Sequence, residues 1–469
     1  MRSAGILDHD VAGLSQLVQS RQVSPVEVTK ACLDRIDARD PQLHAFVTVT
    51  RDLALQQARE AEREIARGSV RGPLHGVPFG VKDLVATKGI RTTWGARPYQ
   101  NVVPDRDAAI VEKLRAAGAI MLGKLAMIEL AGGLGYSTPD SSLTGAARNP
   151  WNLDRWTCGS SSGSGAAVAA GLVPFAIGSE TWGSIVCPAS FCGISGLRPT
   201  FGRVSRRGAM ALSWSLDKLG PLARSARDCE TILRVIAGHD PDDPYSADEP
   251  FGASSDPAAA PRLRVACLRP DFAKGGDRSV EKIYNQALAD LRRSGLRLDE
   301  AALPDLPFDS VTSVILAAEA ATAFEDLERS GQARSLKSAD APLAFVVARA
   351  VRGADVVKAQ RIRTLCQRAM ADFFGKYDVL LFPGEMTTAL PADKDFSDAS
   401  WPDPAGAAGN LCGLPAIAVP CGFADDGLPV SLTAMSGAFE EWKAISLARS
   451  YQAITSWHTR RPPDATAAS

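Results

Sequence analysis

Eight residues, Cys158-Gly159-Ser160-Ser161-Ser162-Gly163-Ser164-Gly165, followed nineteen positions later by an isolated Ser184 in Thr181-Trp182-Gly183-Ser184-Ile185, carry the first chemical signal in this chain. Glycine and serine at this density let the backbone approach a ligand closely and aim several N–H groups at one point, while the hydroxyls offer a nucleophile and proton relays. The chemistry this suggests is hydrolysis through a serine. A flexible linker has a similar composition, but linkers seldom lead straight into apolar helix-forming sequence. This run passes directly into Ala166-Ala167-Val168-Ala169-Ala170, closed by Gly171.

A serine nucleophile needs a base, and the usual one is histidine. The five histidines are His9, His44, His75, His239 and His458; none adjoins the Gly/Ser run, although folding could bring His75 near. Lys82 is the better candidate, because it ends the apolar run Val77 to Val81 and would sit where a strand leaves a sheet. Burial disfavours the ammonium form, so a packed lysine can be neutral near working pH and accept a proton. From local sequence alone, a solvated lysine at a strand end is the plainer reading.

The elements that must position these groups alternate between strand and helix. Ser24-Pro25-Val26-Glu27 reads as an N-cap, a proline at the first helical position and the acid of a capping box, opening an amphipathic helix through about Asp37. A second helix is expected from Arg51 to Arg67, ending at Gly68. From Leu74 to Leu222, short apolar runs punctuated by glycine, such as Ala119-Ile120-Met121-Leu122-Gly123, alternate with helical stretches such as Ala108 to Ala117. That alternation is the pattern of an α/β sheet protein. Asp240 to Pro261 reads as a long surface loop, Arg264 to Leu268 as a strand, and Val280 to Arg293 and Ala344 to Phe374 as helices. Strands return at Tyr377 to Phe382 and Leu414 to Val419, followed by a hairpin across Asp425-Asp426-Gly427 and a last helix from about Phe439 to Ala453. The expected organisation is N-terminal helices over 1–68, a core over 69–239, a variable and largely helical lobe over 240–374, the rest of the core over 375–461 and a frayed tail over 462–469.

Composition narrows the function classes. Lys plus Arg number 52 against 53 Asp plus Glu, a formal net charge of -1, so no basic field recommends a nucleic-acid partner. No signal-peptide core or membrane-length apolar run occurs. The nine cysteines are an odd count in apolar contexts without CxxC spacing, which suggests reduced, packed thiols (Cys187 and Cys192 among them), a cytoplasmic location and no zinc site.

Taken together, Gly76-Val77-Pro78-Phe79-Gly80-Val81-Lys82-Asp83, Asn149-Pro150-Trp151, the Gly/Ser run, Gly183 to Gly193, and Gly196-Leu197-Arg198-Pro199-Thr200-Phe201-Gly202-Arg203-Val204-Ser205 closely resemble the amidase signature family in order and spacing. The resemblance extends to Asn410-Leu411-Cys412-Gly413-Leu414-Pro415 and is weakest between Asp240 and Gln360. It implies a single large α/β domain with a mixed central β-sheet covered by helices. It also implies a Ser-Ser-Lys triad: Ser184 as nucleophile, Ser160 as a bridging serine with a cis peptide bond, and Lys82 as base. Backbone N–H groups from Thr181 through Trp182 and Gly183 to Ser184 would hold the oxyanion, and Ser161 would be structural or contact the substrate carbonyl. No cofactor and no metal is implied. The implied partner is a small-molecule amide, with no nucleic acid and no membrane, and there is room for a homodimer.

The chain departs from the family pattern around the nucleophile. Ser179-Glu180 replaces Thr-Asp, Trp182 replaces a glycine, Val186 replaces an arginine, and Cys158 and Ser162 stand where glycines are common. Glu180 thereby loses the cation the pattern would give it, and Trp182 points either into the acyl pocket or into the core. Arg363 resembles the position where glutamine-using members hold the substrate carboxylate, but a solvated arginine on a helix is the plainer reading. Asp403 resembles their amine-binding acid by spacing alone. The function expected is an amidohydrolase cleaving a linear carboxamide or related acyl-nitrogen bond. The alternatives are the amidase subunit of a glutamyl-tRNA amidotransferase, producing ammonia from glutamine, and a catalytically silent binding protein.

Overall fold

The short apolar runs build the strands of one large mixed sheet and a small hairpin. In the computed structural model, which describes residues 3–133, 135–252, 255–396 and 402–463, thirteen strands occur in two sheets. In chain order they are β1 (Phe46–Val49), β2 (Pro78–Lys82), β3 (Ile120–Leu125), β4 (Arg148–Asn149), β5 (Asn152–Trp156), β6 (Phe175–Glu180) and β7 (Ser195–Arg198). They continue as β8 (Lys218–Ala223), β9 (Val265–Cys267), β10 (Leu298–Glu300), β11 (Val379–Pro383), β12 (Ala416–Phe423) and β13 (Pro429–Ser436). Strands β4 and β5 form a small hairpin; the other eleven form one mixed sheet in the order β1-β3-β2-β6-β8-β7-β12-β13-β11-β9-β10. The α/β class and the mixed, helix-covered central sheet are as the sequence led us to expect.

Strand side chains alternate between two apolar layers, as the period of two requires. Phe175 and Ile177 face one layer with Phe79 and Val81, whereas Ala176 faces the other with Leu122 and Ala166. Being covered on both faces, β2 and β6 are buried at every position and read as continuous apolar text rather than as an alternation.

The arrangement that matters for chemistry is the parallel pairing of β2 with β6, in the register Phe79↔Phe175 and Val81↔Ile177. Parallel neighbours bring their C-terminal ends to the same edge, where open α/β sheets place their ligands. Lys82 therefore ends β2 beside the point where β6 runs out into Thr181 to Ser184.

Local chemistry explains the first helix. Ser24 Oγ accepts from Val26 N at 2.9 Å and Glu27 Oε2 accepts from Ser24 N at 2.8 Å, completing the capping box. The helix runs over Pro25–Leu43, past the expected end at Asp37, because Leu43 still finds the core beneath it. The second helix, Arg51–Ala66, stops within a residue of its expected end. The helix expected over Ala344 to Phe374 is two, Ala341–Arg349 and Gly353–Lys376, since Arg352 takes an extended conformation that restarts the second. The hairpin across Asp425-Asp426-Gly427 joins β12 and β13, and the last helix is Glu441–Ile454. Asp240 to Pro261 is largely loop, but Asp240, Asp243 and Ser246 turn inward and are buried in its own turns. Strands β9 and β10 from the 240–374 segment extend the sheet at one edge. Of the expected tail, residues 464–469 lie outside the described residues. No helix among the described residues is long and apolar enough to cross a membrane.

Candidate active site

Burial on both faces of the sheet decides the state of Lys82. The side chain is fully buried, and its Nζ lies 2.6 Å from Ser160 Oγ, 2.9 Å from Ser179 Oγ and 3.4 Å from Ser179 O. A neutral amine has two hydrogens and one lone pair. Donation to the two Ser179 oxygens leaves the lone pair for the nearest contact, the hydroxyl of Ser160. Desolvation drives the lysine pKa down and the charges of Asp217 and Glu180 partly offset it, leaving it at about 7.

Ser160 is presented by the Gly/Ser run, which turns into helix Ser162–Ala169. The Gly159–Ser160 peptide bond is cis, as the resemblance implies. Glycine is required at 163 because a Cβ there would lie 2.3 Å from Ala45 O and 2.5 Å from Ala126 N, so any side chain would push the helix off β3. Ser161 faces away from solvent and is taken up by strand β6: its Oγ donates to Ser179 O at 3.1 Å and accepts from Ser179 N at 3.3 Å. These bonds place Ser161 with the structural reading rather than the substrate-contact one.

Ser184 lies on the turn between β6 and helix Val186–Cys192, 8% exposed. Among the described residues no hydrogen bond joins its hydroxyl to Ser160. The N–H groups of Trp182, Gly183 and Ser184 donate to no described acceptor. Gly183 has a φ of +83°, which turns the loop. Thr181 is fixed from its side chain instead, its Oγ1 donating to Asp217 Oδ1 at 2.6 Å.

Glu180 is the pivot of this turn, and the sequence reading of it needs correcting. It has not lost its cation: Arg198 Nη1 donates to Oε1 at 2.7 Å, joined by Asn410 Nδ2 at 3.0 Å. Its Oε2 accepts from Ile185 N at 2.9 Å and Val186 N at 3.0 Å, which ties together the two ends of the turn that carries Ser184. Desolvation alone would raise its pKa, but Arg198, Lys218 and these hydrogen bonds bring it down to about 2. The arginine comes from β7, two strands away in the sheet, where a local sequence window could not find it.

Four further expectations are corrected or decided. Cys158 and Cys187 are not reduced thiols but a disulfide, with a Cα–Cα distance of 5.9 Å, because the fold brings the segment before Ser160 against the helix after Ser184. Cys192 does remain a buried free thiol. Arg363 is not solvated: it is 9% exposed, its Nε donates to Leu411 O at the end of helix Gly406–Leu411 and its Nη2 to Ser215 O in the segment before β8, both at 2.8 Å. His75 is no base for this site; its Nε2 lies 3.1 Å from Glu64 Oε2, at the far end of β2. The indole of Trp182 lines the cavity and its Nε1 donates to Asp403 Oδ2 at 2.5 Å.

The cavity has a volume of about 440 Å³ and is walled by Gly159 and Gly183, the residues preceding the two serines, together with Trp182, Val186 and the disulfide. Sequence reasoning assigned no role to Ser179, Asp217, Lys218 or Glu385. Arg198 and Asn410 stood inside quoted motifs, a signal that could have been followed; Asp217 and Glu385 had none. No cluster of three or more metal-binding side chains is present among the described residues.

Two predictions arise here. Trp182→Gly is expected to raise kcat/KM for bulky acyl amides relative to small ones by about tenfold, since the indole occupies volume in the cavity. A flat ratio with all rates falling together would mean that the indole only supports the loop. Reduction of the disulfide is expected to cost about 3 kcal/mol of stability, the amount typical for a loop of this order of length. Alkylation before and after reduction should mark two additional thiols, on the peptides holding Cys158 and Cys187; marking both without reductant would refute the disulfide.

The Amidase family profile matches residues 27–444. A glutamyl-tRNA(Gln) amidotransferase subunit from Roseiflexus sp. (strain RS-1) is 39% identical over 94% of this chain and 95% of its own. The protein of the same name from Carboxydothermus hydrogenoformans is 40% identical over 96% and 98%. Among solved structures, native peptide amidase from Stenotrophomonas maltophilia matches with a TM-score of 0.86 at 34% identity, covering 97% of this chain and 98% of that one.

Proposed function

The chain belongs to the amidase family, whose members are hydrolases acting on carbon–nitrogen bonds, and from that premise we propose that it cleaves linear carboxamides through an acyl-enzyme on Ser184. The observation that carries this reading is the 2.6 Å contact between Ser160 Oγ and the buried Lys82 Nζ, a lysine whose pKa sits at about 7. Neutral Lys82 takes the proton of Ser160 as Ser160 takes that of Ser184, and Ser184 Oγ attacks the amide carbon. The free N–H groups of Trp182 to Ser184 receive the oxyanion, each donor contributing about 3 kcal/mol to the transition state. The relay run backwards protonates the leaving nitrogen, and water then releases the acid from the ester.

A second reading, the ammonia-producing subunit of a glutamyl-tRNA amidotransferase, is favoured by the names of the relatives. Two features weigh against it. Arg363 spends its guanidinium on backbone carbonyls and does not line the cavity, and the only arginine among the described residues that does, Arg198, is already paired with Glu180. A glutamine carboxylate would then meet Asp309, Glu385 and Asp403 in the cavity wall, with Arg198, whose charge Glu180 already offsets, as the one cation beside them. The deciding experiment is a panel of linear primary amides given to the purified chain alone, with ammonia release as readout. Turnover of several amides supports the first reading; activity on glutamine alone, and only with partner subunits, would overturn it in favour of the second.

A further inference from the structure

The substrate cavity is lined by more acidic than basic side chains. Three carboxylates line it, Asp309 near solvent, Asp403 open to the cavity, and Glu385 half-buried just after β11, against one cation, Arg198. That cation is cancelled from behind the wall by Glu180, 2.7 Å away. Asp403 is partly occupied, accepting from Trp182 Nε1 and from backbone N–H groups of Ala405 and Gly406. Glu385 has no hydrogen bond or ion pair with any described residue. Withdrawal from water, with Asp403 and Glu180 nearby, holds its carboxyl well above the usual carboxylate range. A positive group beside a carboxyl so placed would favour its charged form and offset the cost of its burial.

A second feature of the same wall points to a ligand. Arg198 is 1% exposed, and its Nη2 has no hydrogen-bond partner among the described residues. A buried guanidinium N–H without an acceptor costs stability until one arrives, and Arg198 borders the cavity. The wall therefore asks for a molecule with both an oxygen acceptor and a positive charge.

We infer that the cavity selects amides carrying a cationic nitrogen on the acyl side, with Glu385 as the residue that holds it. The inference rests on the amidase reading above. For a primary carboxamide the leaving group is ammonia, so the acyl chain is what fills the 440 Å³. An ammonium at the end of that chain meets Glu385 and Asp403 in a site with little water, where a charge-assisted hydrogen bond is stronger than in solution. An acyl chain ending in a carboxylate meets repulsion at the same place.

The test uses ω-amino primary amides of three to five methylenes, their neutral methyl isosteres (hexanamide for 5-aminopentanamide) and the matching ω-carboxylates. At the best chain length, kcat/KM for the ammonium amide is expected to exceed that of its neutral isostere by about tenfold, with the carboxylate lowest. In Glu385→Gln the ammonium-to-neutral ratio is expected to fall to near one. Calorimetric binding of the same amides to Ser184→Ala reads the preference without turnover, and adding Glu385→Gln to that variant should remove it. Equal handling of the three series by the wild type, or a preference untouched in Glu385→Gln, overturns the inference while hexanamide hydrolysis leaves the amidase reading standing. Preferential binding of the ammonium amide with no hydrolysis of any amide would do the reverse.

Discussion

Ser184→Ala is expected to lower kcat by about 10⁴-fold or more while leaving the fold and the thermal midpoint essentially unchanged. The size of the effect follows from the role: without the hydroxyl there is no acyl-enzyme, and what survives is the catalysis of the oxyanion donors and of binding. The fold should tolerate the change because Ser184 makes no described side-chain hydrogen bond and the turn is held by Glu180 through Ile185 N and Val186 N. A serine-directed fluorophosphonate should label the wild type on the peptide containing Ser184 and leave the variant unlabelled. Label or acyl group on Ser160, Ser161 or a cysteine would show that the nucleophile lies elsewhere.

The second large effect belongs to Lys82. With its pKa lowered from the ordinary lysine value to about 7, the lysine is mostly protonated, and useless as a base, below that pH and mostly neutral above it. The sign is therefore fixed: kcat/KM rises about tenfold per pH unit below 7 and levels off above it. Lys82→Ala is expected to lose about 10³-fold or more in kcat together with that limb of the profile. Lys82→Arg should do no better, since a guanidinium stays protonated throughout the accessible range. A wild-type profile that is flat between pH 5 and 9, or a Lys82→Ala variant with the unchanged profile, would assign the base to another group.

How much of this was legible in the sequence depends on how far each signal reaches along the chain. The capped helix at Ser24, the strand that ends at Lys82, the Gly/Ser run leading into a helix and the hairpin at Asp425-Asp426-Gly427 are written in windows of ten or so residues. Cap chemistry, apolar runs and turn residues act locally, so local text suffices for them. The family pattern extended that reach to the α/β sheet as a whole, and it is what singles out Lys82, Ser160 and Ser184 as the expected set.

What only the tertiary structure decided are the pairings between distant segments. Arg198 reaches Glu180 because the sheet runs β6-β8-β7, an order that strand-by-strand reading does not provide. Cys158 meets Cys187 because the run before Ser160 packs on the helix after Ser184, and Arg363 is buried because its helix closes over carbonyls of Leu411 and Ser215. The same holds for the direction of Trp182, settled by an aspartate 221 residues further on, and for Glu385, whose isolation is a property of the cavity. Residue types and spacing determine which groups can do chemistry and which elements carry them. Burial and charge pairing arise from contacts between segments far apart in the chain, and they set the pKa of Lys82, the partner of Glu180 and the charge of the pocket.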